Sequence, residues 1–289
     1  MSNKNLHKAQ YVKNDEFYTQ LPDIEKEIPH YDLSGKSILC NCNDSLSSSF
    51  TKYFIHNFEQ LRIKQLITVS ELYILRYYDK NKYYTTKSYH NGDFRENTKL
   101  LNEADVIITN PPFSLFREYI KQLLQNNKKF LIIGNKNAVK YPEIFPYIKN
   151  NLLWLGYSSP NKFNTPEGET NKLQGLCRWF TNLPVKSKHL PNTGIRFKDM
   201  EYDTYDNIPN IIKVNKIKEI PMDYDNYMAV PITYLDYYNP NEYEIIDMLN
   251  YKTVLDYFDV NKLVKNNNNH CCTVNGKSTF SRIVIKKIA

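Results

Sequence analysis

Short apolar runs alternate with amphipathic segments along the first two thirds of the chain. The runs are too short for helices and end at polar residues, which is typical of buried strands. The segments between them place apolar side chains at helical spacing, as with Phe50, Phe54 and Phe58. This alternation predicts an α/β fold with a doubly wound, mostly parallel sheet covered by helices on both faces. The predicted strands are KSILCNC (36–42), QLITVS (65–70), ADVIITN (104–110), KKFLIIGN (128–135), NLLWLGYS (151–158) and LQGLCRWFTNL (173–183).

The pattern changes near residue 190, where polar segments rich in Pro and Asp begin. We therefore expect two domains, residues 1–190 and residues 191–289. In the second, Asn275-Gly276 stands between strand-like runs and predicts a type I′ hairpin. The four asparagines at 266–269 predict a solvated loop. The tyrosine-rich residues 72–90 fit neither a helix nor a strand clearly.

Composition and charge narrow the class of protein. The 289 residues carry a formal net charge of +7, which favours a polyanionic partner but also suits an ordinary basic soluble protein. No run is long and apolar enough to span a membrane, and the N-terminus lacks the apolar stretch of a signal peptide. Five cysteines without paired spacing predict free thiols in a reducing, cytoplasmic compartment. His270, Cys271 and Cys272 form at most half of a metal site, so no metal is expected.

The strand at 104–110 ends in an unusual tetrapeptide, Asn110-Pro111-Pro112-Phe113, ahead of a helix whose apolar face is Phe116, Ile120, Leu123 and Leu124. Ligands of doubly wound sheets bind beyond the carboxyl ends of the strands. The two prolines fix the backbone and supply no N–H, so the turn is stiff and rich in acceptors.

Such a turn suits a planar group that carries an amino group. The Asn110 side-chain oxygen and the Pro111 carbonyl can accept the two amino hydrogens, while the ring stacks on Phe113. Gripping both hydrogens localises the nitrogen lone pair, and the nitrogen can then displace an electrophilic methyl group held in line. The alternative is a plain strand–turn–helix junction stopped by two prolines, which the tetrapeptide favours less.

Several blocks of the sequence resemble the EcoRI-type family of adenine-specific DNA methyltransferases. They are NDEFYTQ (14–20), NGDFRENTKLLNEADVIITNPPFSLFREYI (91–120), CRWFTNL (177–183), MAVPITYLDYYNP (228–240) and NGKSTFSRIVIKK (275–287). The resemblance implies a seven-stranded methyltransferase sheet in residues 1–190 that binds S-adenosyl-L-methionine. It implies a smaller target-recognition region in residues 191–289. It also implies methylation of the N6 amino group of an adenine flipped out of duplex DNA, with Asn110, Pro111, Pro112 and Phe113 as the catalytic residues.

The resemblance also assigns the methyl donor to two parts of the sequence. Phe17, Tyr18 and Thr19 match the motif for its methionine end, although Gln20 stands where many relatives have proline. Asp93 at a strand tip would accept from the exocyclic amine of the donor's adenine, and Phe94 would pack on that ring. The alternatives are the start of an amphipathic helix at Tyr18 and an ordinary turn at Asp93.

The first strand turn departs from the usual methyltransferase pattern. A glycine-rich loop is expected there, but the chain has CNCND (40–44) without glycine. We assign Asn41 and Asp44 to the methyl donor. Trp179 is expected in the core rather than against a base. Five lysines could follow a phosphate backbone or simply face solvent: Lys213, Lys216, Lys218, Lys286 and Lys287.

Other functions use the same tetrapeptide. A guanine amine of RNA or a glutamine amide of a protein could replace the adenine, and a non-catalytic nucleic-acid-binding descendant of the fold is the third possibility. The long segment after residue 190 favours duplex DNA, because sequence reading needs its own surface. We expect a monomer from a restriction–modification system, whose cognate restriction endonuclease acts on the same site without a stable complex.

Overall fold

The computed structural model describes residues 18–42, 44–88, 93–164, 170–172, 175–186, 188–189, 194–206, 208–249 and 272–288. The chain divides into two compact units, Met1–Ile148 with Leu152–Val185, and Lys149–Asn151 with Lys186–Ala289. None of the described helices is both long and apolar enough to cross a membrane. Phe17, His270, Cys271 and the asparagine run at 266–269 lie outside the described residues.

Six of the described strands of the first unit lie within the predicted apolar runs, and five lie outside them. Its strands are β1 Tyr18–Thr19, β2 Ser37–Cys40, β3 Gln65–Val69, β4 Tyr73–Asp79, β5 Lys82–Lys87, β6 Val106–Thr109, β7 Lys129–Asn135, β8 Trp154–Leu155, β9 Lys162–Asn164, β10 Thr170–Lys172 and β11 Cys177–Thr181. Its α-helices are α1 Leu21–Glu27, α2 Ser49–His56, α3 Phe58–Leu61, α4 Thr98–Glu103, α5 Phe116–Gln125 and α6 Phe145–Lys149, the last of which ends in the second unit.

Eight of the described strands form the main sheet, in the order β5-β4-β3-β2-β6-β7-β11-β8. The predicted count of seven is therefore wrong. Among the described strands of this sheet, only the central β3, β2, β6 and β7 pair in parallel, and the outer strands pair antiparallel. The expectation of a mostly parallel sheet thus holds for the buried centre alone. The ambiguous residues 72–90 account for part of the difference, because they supply the antiparallel hairpin β4–β5.

Helices cover both faces of this sheet. Trp179 and Phe180 are neighbours in β11, so their side chains point to opposite faces. The Trp179 ring meets Phe50 of α2 edge-on, at 6.1 Å between centroids, and the Phe180 ring contacts Phe116 of α5 at 5.1 Å. Trp179 is fully buried, which confirms that it belongs to the core.

Local signals in the sequence explain where the central elements begin. Strands β2, β3 and β6 are buried at every position, as expected of parallel strands covered on both faces. Helix α2 begins after Ser48, whose side chain caps it by accepting from the Thr51 N–H at 3.2 Å. Helix α5 buries Phe116, Ile120 and Leu123, as its spacing predicted.

Three smaller sheets complete the described strands. In the first unit, β1, β9 and β10 form an antiparallel sheet in the order β1-β9-β10. In the second unit, a five-stranded sheet has the order β12-β13-β14-β18-β15, and β16 pairs with β17. The second unit's strands are β12 Thr204–Tyr205, β13 Ile208–Lys213, β14 Tyr227–Pro231, β15 Tyr243–Met248, β16 Thr273–Val274, β17 Lys277–Ser278 and β18 Arg282–Lys287.

The β16–β17 pair confirms the predicted hairpin. Its two turn residues, Asn275 and Gly276, both have positive φ angles, 51° and 72°, as a type I′ turn requires. Asp206 fixes the turn by accepting from the N–H groups of both residues at 2.8 and 2.9 Å and from the Thr273 hydroxyl at 2.7 Å.

Candidate functional site

The topological switch point of the main sheet lies between β2 and β6. The chain passes from β2 to β3 on one side and returns to β6 on the other side. Doubly wound sheets bind ligands beyond the carboxyl ends of the strands at such a point. The residues that follow β2 and β6 are therefore the first candidates for a site.

Asp44 joins the carboxyl ends of three strands. Its N–H donates to the Val69 carbonyl of β3 at 2.8 Å, and its carboxylate accepts from the Thr109 hydroxyl of β6 at 2.7 Å. The Ser48 hydroxyl and the Cys42 N–H complete its partners at 3.1 and 3.2 Å. The carboxylate thus sits at the centre of the switch point, although it follows a turn without glycine.

Asp44 is a buried carboxylate with an unusual pKa. Only 4% of the residue is exposed, and this burial raises the pKa to about 6, against the opposing effect of the donors at Thr109, Cys42 and Ser48. Among the described residues, neither lysine nor arginine forms a salt bridge with it. A buried charge that lacks a cationic partner destabilises the fold. Such charges are common at ligand-binding and catalytic sites.

Asn41 lies beside Asp44, at the end of β2. Its side-chain oxygen accepts from the Tyr119 hydroxyl of α5, and the residue is fully buried. Its side-chain nitrogen has no hydrogen-bonding partner among the described residues. Buried polar atoms are nearly always paired in folded proteins, so a donor left open here fits a ligand acceptor.

Phe94 reaches the same corner from the loop before α4. Its ring is buried and meets Tyr119 edge-on, with 4.6 Å between ring centroids. Asp93 accepts from the Arg95 N–H at 2.9 Å and also pairs with its guanidinium group. The charge of Asp93 also contributes to a raised pKa of the Cys42 thiol, which is due mainly to burial. The structure therefore brings Asp93 and Phe94 to the end of β2.

The tetrapeptide 110–113 leaves the adjacent strand β6. Asn110 directly follows Thr109, the residue that binds Asp44, and the Asn110 side-chain oxygen is buried. Pro111 is buried, and the Pro112 carbonyl accepts from the Leu115 N–H at 3.0 Å. The Phe113 ring meets Phe163 edge-on at 6.0 Å between centroids.

The third part of the site comes from β1 and β9. Thr19 pairs with Phe163, and Tyr18 pairs with Asn164, in an antiparallel register. Both residues lie in a strand, and α1 begins only at Leu21, so the alternative of a helix start at Tyr18 is wrong. Thr19 is buried, and its hydroxyl has no hydrogen-bonding partner among the described residues.

Comparison with known proteins gives this arrangement a family. The model of a family described as adenine-specific methyltransferase EcoRI matches residues 5–88 and 76–288. The chain belongs to the EcoRI family of adenine-specific methyltransferases. Three type II methyltransferases are similar over almost their whole length. M.MgeORF184P of Mycoplasma genitalium is 39% identical over 98% of each chain. M.EcoRI of Escherichia coli is 38% identical over 99% of this chain and 97% of its own. M.MpnI of Mycoplasma pneumoniae is 34% identical over 98% of each chain. No solved structure matches the chain.

Membership of the EcoRI family implies a methyl donor, and the polar groups of the candidate site fit one. Asn41 and Thr19 present buried polar atoms that lack partners among the described residues, and Asp44 presents a buried carboxylate. These groups suit a ligand that carries amine, hydroxyl and carboxylate groups at once.

The candidate site contains other residues that the sequence alone did not single out. Phe163 lies in a three-residue strand with no detectable periodicity, and Tyr119 is not among the four apolar residues that marked the face of α5. Thr109 directly precedes the tetrapeptide, so its neighbour Asn110 was one available signal. A hydroxyl at the tip of a buried strand could have drawn attention to it.

The lysines proposed to follow phosphates mostly have partners within the chain. Lys213 pairs with Asp203 at 2.9 Å, Lys216 pairs with Glu219 at 3.5 Å, and Lys287 donates to the Met222 carbonyl at 2.7 Å. Lys286 lies over the Tyr227 ring at 5.4 Å. Solvated or internally paired side chains are the better description of these residues.

Proposed function

We propose that the chain transfers a methyl group from S-adenosyl-L-methionine to the N6 amino group of an adenine flipped out of duplex DNA. One observation carries this proposal beyond family membership. The tetrapeptide 110–113 leaves β6 at the switch point, next to the polar cluster of Asn41 and Asp44 at the end of β2. Substrate amine and methyl donor can then meet at one edge of the sheet.

The chain's own residues would activate the amine without a strong base. The Asn110 side-chain oxygen and the Pro111 carbonyl accept the two amino hydrogens, which localises the nitrogen lone pair. Phe113 offers a flat apolar face to the base, and Phe163 supports it from the side. The nitrogen becomes acidic only as it is alkylated, so it loses one proton to solvent water after its bond to the methyl group has formed.

Binding of the methyl donor would use the three clusters at the sheet edge. Tyr18 and Thr19, together with Phe17, would contact its methionine end, while Asn41 and Asp44 lie at the switch point. Asp93 and Phe94 would contact its adenine. When bound, the donor supplies an electrophilic methyl group on a sulfonium. Thr19 and Asn41 support this assignment most directly, because each has a buried polar atom without a partner in the described part of the chain.

Target recognition would belong to the second unit. Its β16–β17 hairpin is clamped by Asp206, and next to it Phe280 is 91% exposed. Lys277, also exposed, follows the turn. A rigid hairpin that carries an exposed ring and a cation suits insertion into a DNA groove, where apolar wedges hold base steps apart. Phe280→Ala should weaken duplex binding and leave methyl-donor binding unchanged, which filter binding and calorimetry would measure.

The biological setting follows from the chemistry. A monomer can methylate the two strands of a palindrome in separate steps, and a cognate endonuclease that reads the same sequence needs no stable contact with it. We place the enzyme in the cytoplasm, where bacterial DNA lies.

Transfer of labelled methyl groups to duplex DNA, RNA and protein substrates tests the proposal. We expect labelled N6-methyladenine in duplex DNA alone, and sequencing of host DNA for modified bases should locate the recognition site. Labelling confined to RNA or to a glutamine side chain would instead establish one of the other substrates of this tetrapeptide. Absence of labelling on all three would refute a catalytic role.

A further inference from the structure

Helix α1 carries two buried carboxylates on one face, Asp23 and Glu27, which we call the α1 brace. Glu27 is fully buried and accepts four hydrogen bonds. The donors are the Tyr31 hydroxyl at 2.7 Å, the Tyr157 N–H at 2.9 Å, and the Ser158 N–H and hydroxyl at 2.7 Å each. The brace thus binds a loop that lies about 130 residues away in the sequence.

Asp23 extends the same contact by one helical turn. Its carboxylate accepts from the N–H groups of Asn161 and Lys162 at 3.1 and 3.4 Å. The i, i+4 spacing puts Asp23 and Glu27 on one face of α1, so together they hold both ends of residues 157–162. The first residues of this loop lie outside any strand, so the brace supplies the acceptors that their partly buried N–H groups require.

The brace holds the loop with buried carboxylates, although apolar side chains would cost less free energy to bury. Among the described residues, no lysine or arginine forms a salt bridge with either carboxylate. Burying carboxylates that only hydrogen bonds compensate costs more than an apolar contact of the same size. Hydrogen bonds to fixed N–H groups, however, define the position of a loop much more narrowly than apolar packing does.

Gly156 shows how closely the loop approaches the brace. A Cβ atom at this position would lie 2.2 Å from Glu27 Oε1 and 2.6 Å from the Trp179 Cβ. Any larger residue would therefore push Glu27 away from the loop. The contact can consequently be broken from either side, by changing Glu27 or by changing Gly156.

The loop leads directly into β9, which contacts two parts of the proposed active site. Phe163 pairs with Thr19 in β1, and its ring meets Phe113 edge-on. One strand therefore lies beside the motif assigned to the methyl donor and also supports the ring assigned to the target base. Displacement of β9 would disturb both at once.

We propose that Glu27, supported by Asp23, is a positioning residue that fixes β9 between the methyl-donor site and the target-base site. This inference rests on the proposed function, since it deepens the role of Thr19 and Phe113. It assigns no chemical step to Glu27. Through the loop at 157–162, the brace holds Phe163 at the distance from Phe113 that stacking of the target base requires.

The experiment compares Glu27→Gln with Gly156→Ala, and uses Glu25→Gln as the matched control. Glu25 lies on the exposed face of the same helix. A glutamine keeps the size of Glu27 but turns an N–H₂ group toward the loop, so at least one partly buried N–H loses its acceptor. Ser158→Ala removes only one of the four bonds to Glu27, and should behave almost like the wild type.

Three measurements are made on variants whose circular dichroism shows a folded protein. Trypsin cleavage after Lys162 reports the position of the loop without any ligand. Calorimetry gives the affinity for S-adenosyl-L-methionine, and 2-aminopurine at the target position of a duplex reports the flipped base. We expect faster cleavage, a donor affinity lower by on the order of tenfold, and a smaller flipped-base signal for Glu27→Gln and Gly156→Ala alone.

The outcomes separate the brace from the proposed function. Faster cleavage with wild-type donor affinity and flipped-base signal would show that the brace only stabilises the loop, which overturns the inference. Unchanged cleavage would overturn it as well. If Glu27→Gln does not fold, Asp23→Asn and Gly156→Ala carry the same test. A wild-type protein that binds no donor and methylates no DNA would refute the proposed function instead.

Discussion

Replacement of Asp44 by asparagine should stabilise the protein and weaken its binding of the methyl donor. Burial raises the pKa of Asp44 from the ordinary value of 3.8 to about 6. At roughly 1.4 kcal/mol per pKa unit, ionisation of this side chain at neutral pH costs the folded state about 3 kcal/mol. Asparagine retains one oxygen that can accept from the Thr109 or Ser48 hydroxyl, but its N–H₂ group faces another hydrogen-bond donor and loses that bond. The free energy of unfolding should therefore rise by about 1–2 kcal/mol.

The same pKa shift predicts a pH dependence with a definite sign. Because the folded state holds the Asp44 proton more tightly than the unfolded chain, it binds more protons between about pH 4 and pH 6. The contribution of Asp44 to stability is therefore fully present below about pH 4 and is lost as the pH rises through about 6. Asp44→Asn should lack this loss, so its advantage over the wild type should grow across that window.

Urea unfolding at several pH values between 4 and 7 measures this difference, and calorimetry at pH 7.5 measures donor affinity. Asp105→Asn is the control. Asp105 lies at the amino ends of the central strands, just before β6, and accepts from the Ser37 N–H. If the free energies of unfolding of the wild type and of Asp44→Asn change with pH in parallel, the raised pKa of a buried Asp44 is refuted. Unchanged donor affinity would remove Asp44 from the donor site.

The remaining predictions concern catalysis, donor binding and DNA binding. Asn110→Ala should slow single-turnover methyl transfer by about a hundred- to a thousandfold, with donor affinity nearly unchanged. Asn110→Asp should retain part of the activity because it still accepts, and a wild-type rate for Asn110→Ala would make the strand tip a structural turn. Phe113→Ala should lower the 2-aminopurine signal of the flipped base, since stacking contributes roughly 1–3 kcal/mol; an unchanged signal would contradict the stacking role. Asp93→Ala should weaken donor binding by roughly ten- to a hundredfold, and calorimetry that returned wild-type affinity would contradict its assignment. Duplex affinity should fall on the order of a hundredfold between about 50 and 200 mM salt if about five phosphates are contacted, and a flat titration would argue against duplex DNA.

The sequence by itself determined the elements whose signals are local. Strand β6, the tetrapeptide and helix α5 form one continuous stretch in which an apolar run, two prolines and helical spacing each act within a few residues. The Asn275-Gly276 turn is equally local, because its positive φ angles depend on those two residues alone. The succession of β2, β3, β6 and β7 along the chain followed from the same kind of pattern, whereas their order in the sheet, and with it the switch point, was decided by the fold.

Only the tertiary structure decided what comes to this point from elsewhere in the chain. The pairing of β1 with β9 joins residues about 145 positions apart, and neither strand is long enough to show a period of two. The places and directions of the outer strands β4, β5, β8 and β11 in the sheet depend on which edge strand is still unpaired. No local sequence pattern shows this. In the sequence, Glu27 cannot be told apart from the other charged residues of its helix. Its role depends on the loop at 157–158, which donates hydrogen bonds to it in the folded protein. In each case the deciding energy is burial and hydrogen bonding between distant segments, and this energy exists only once the chain has folded.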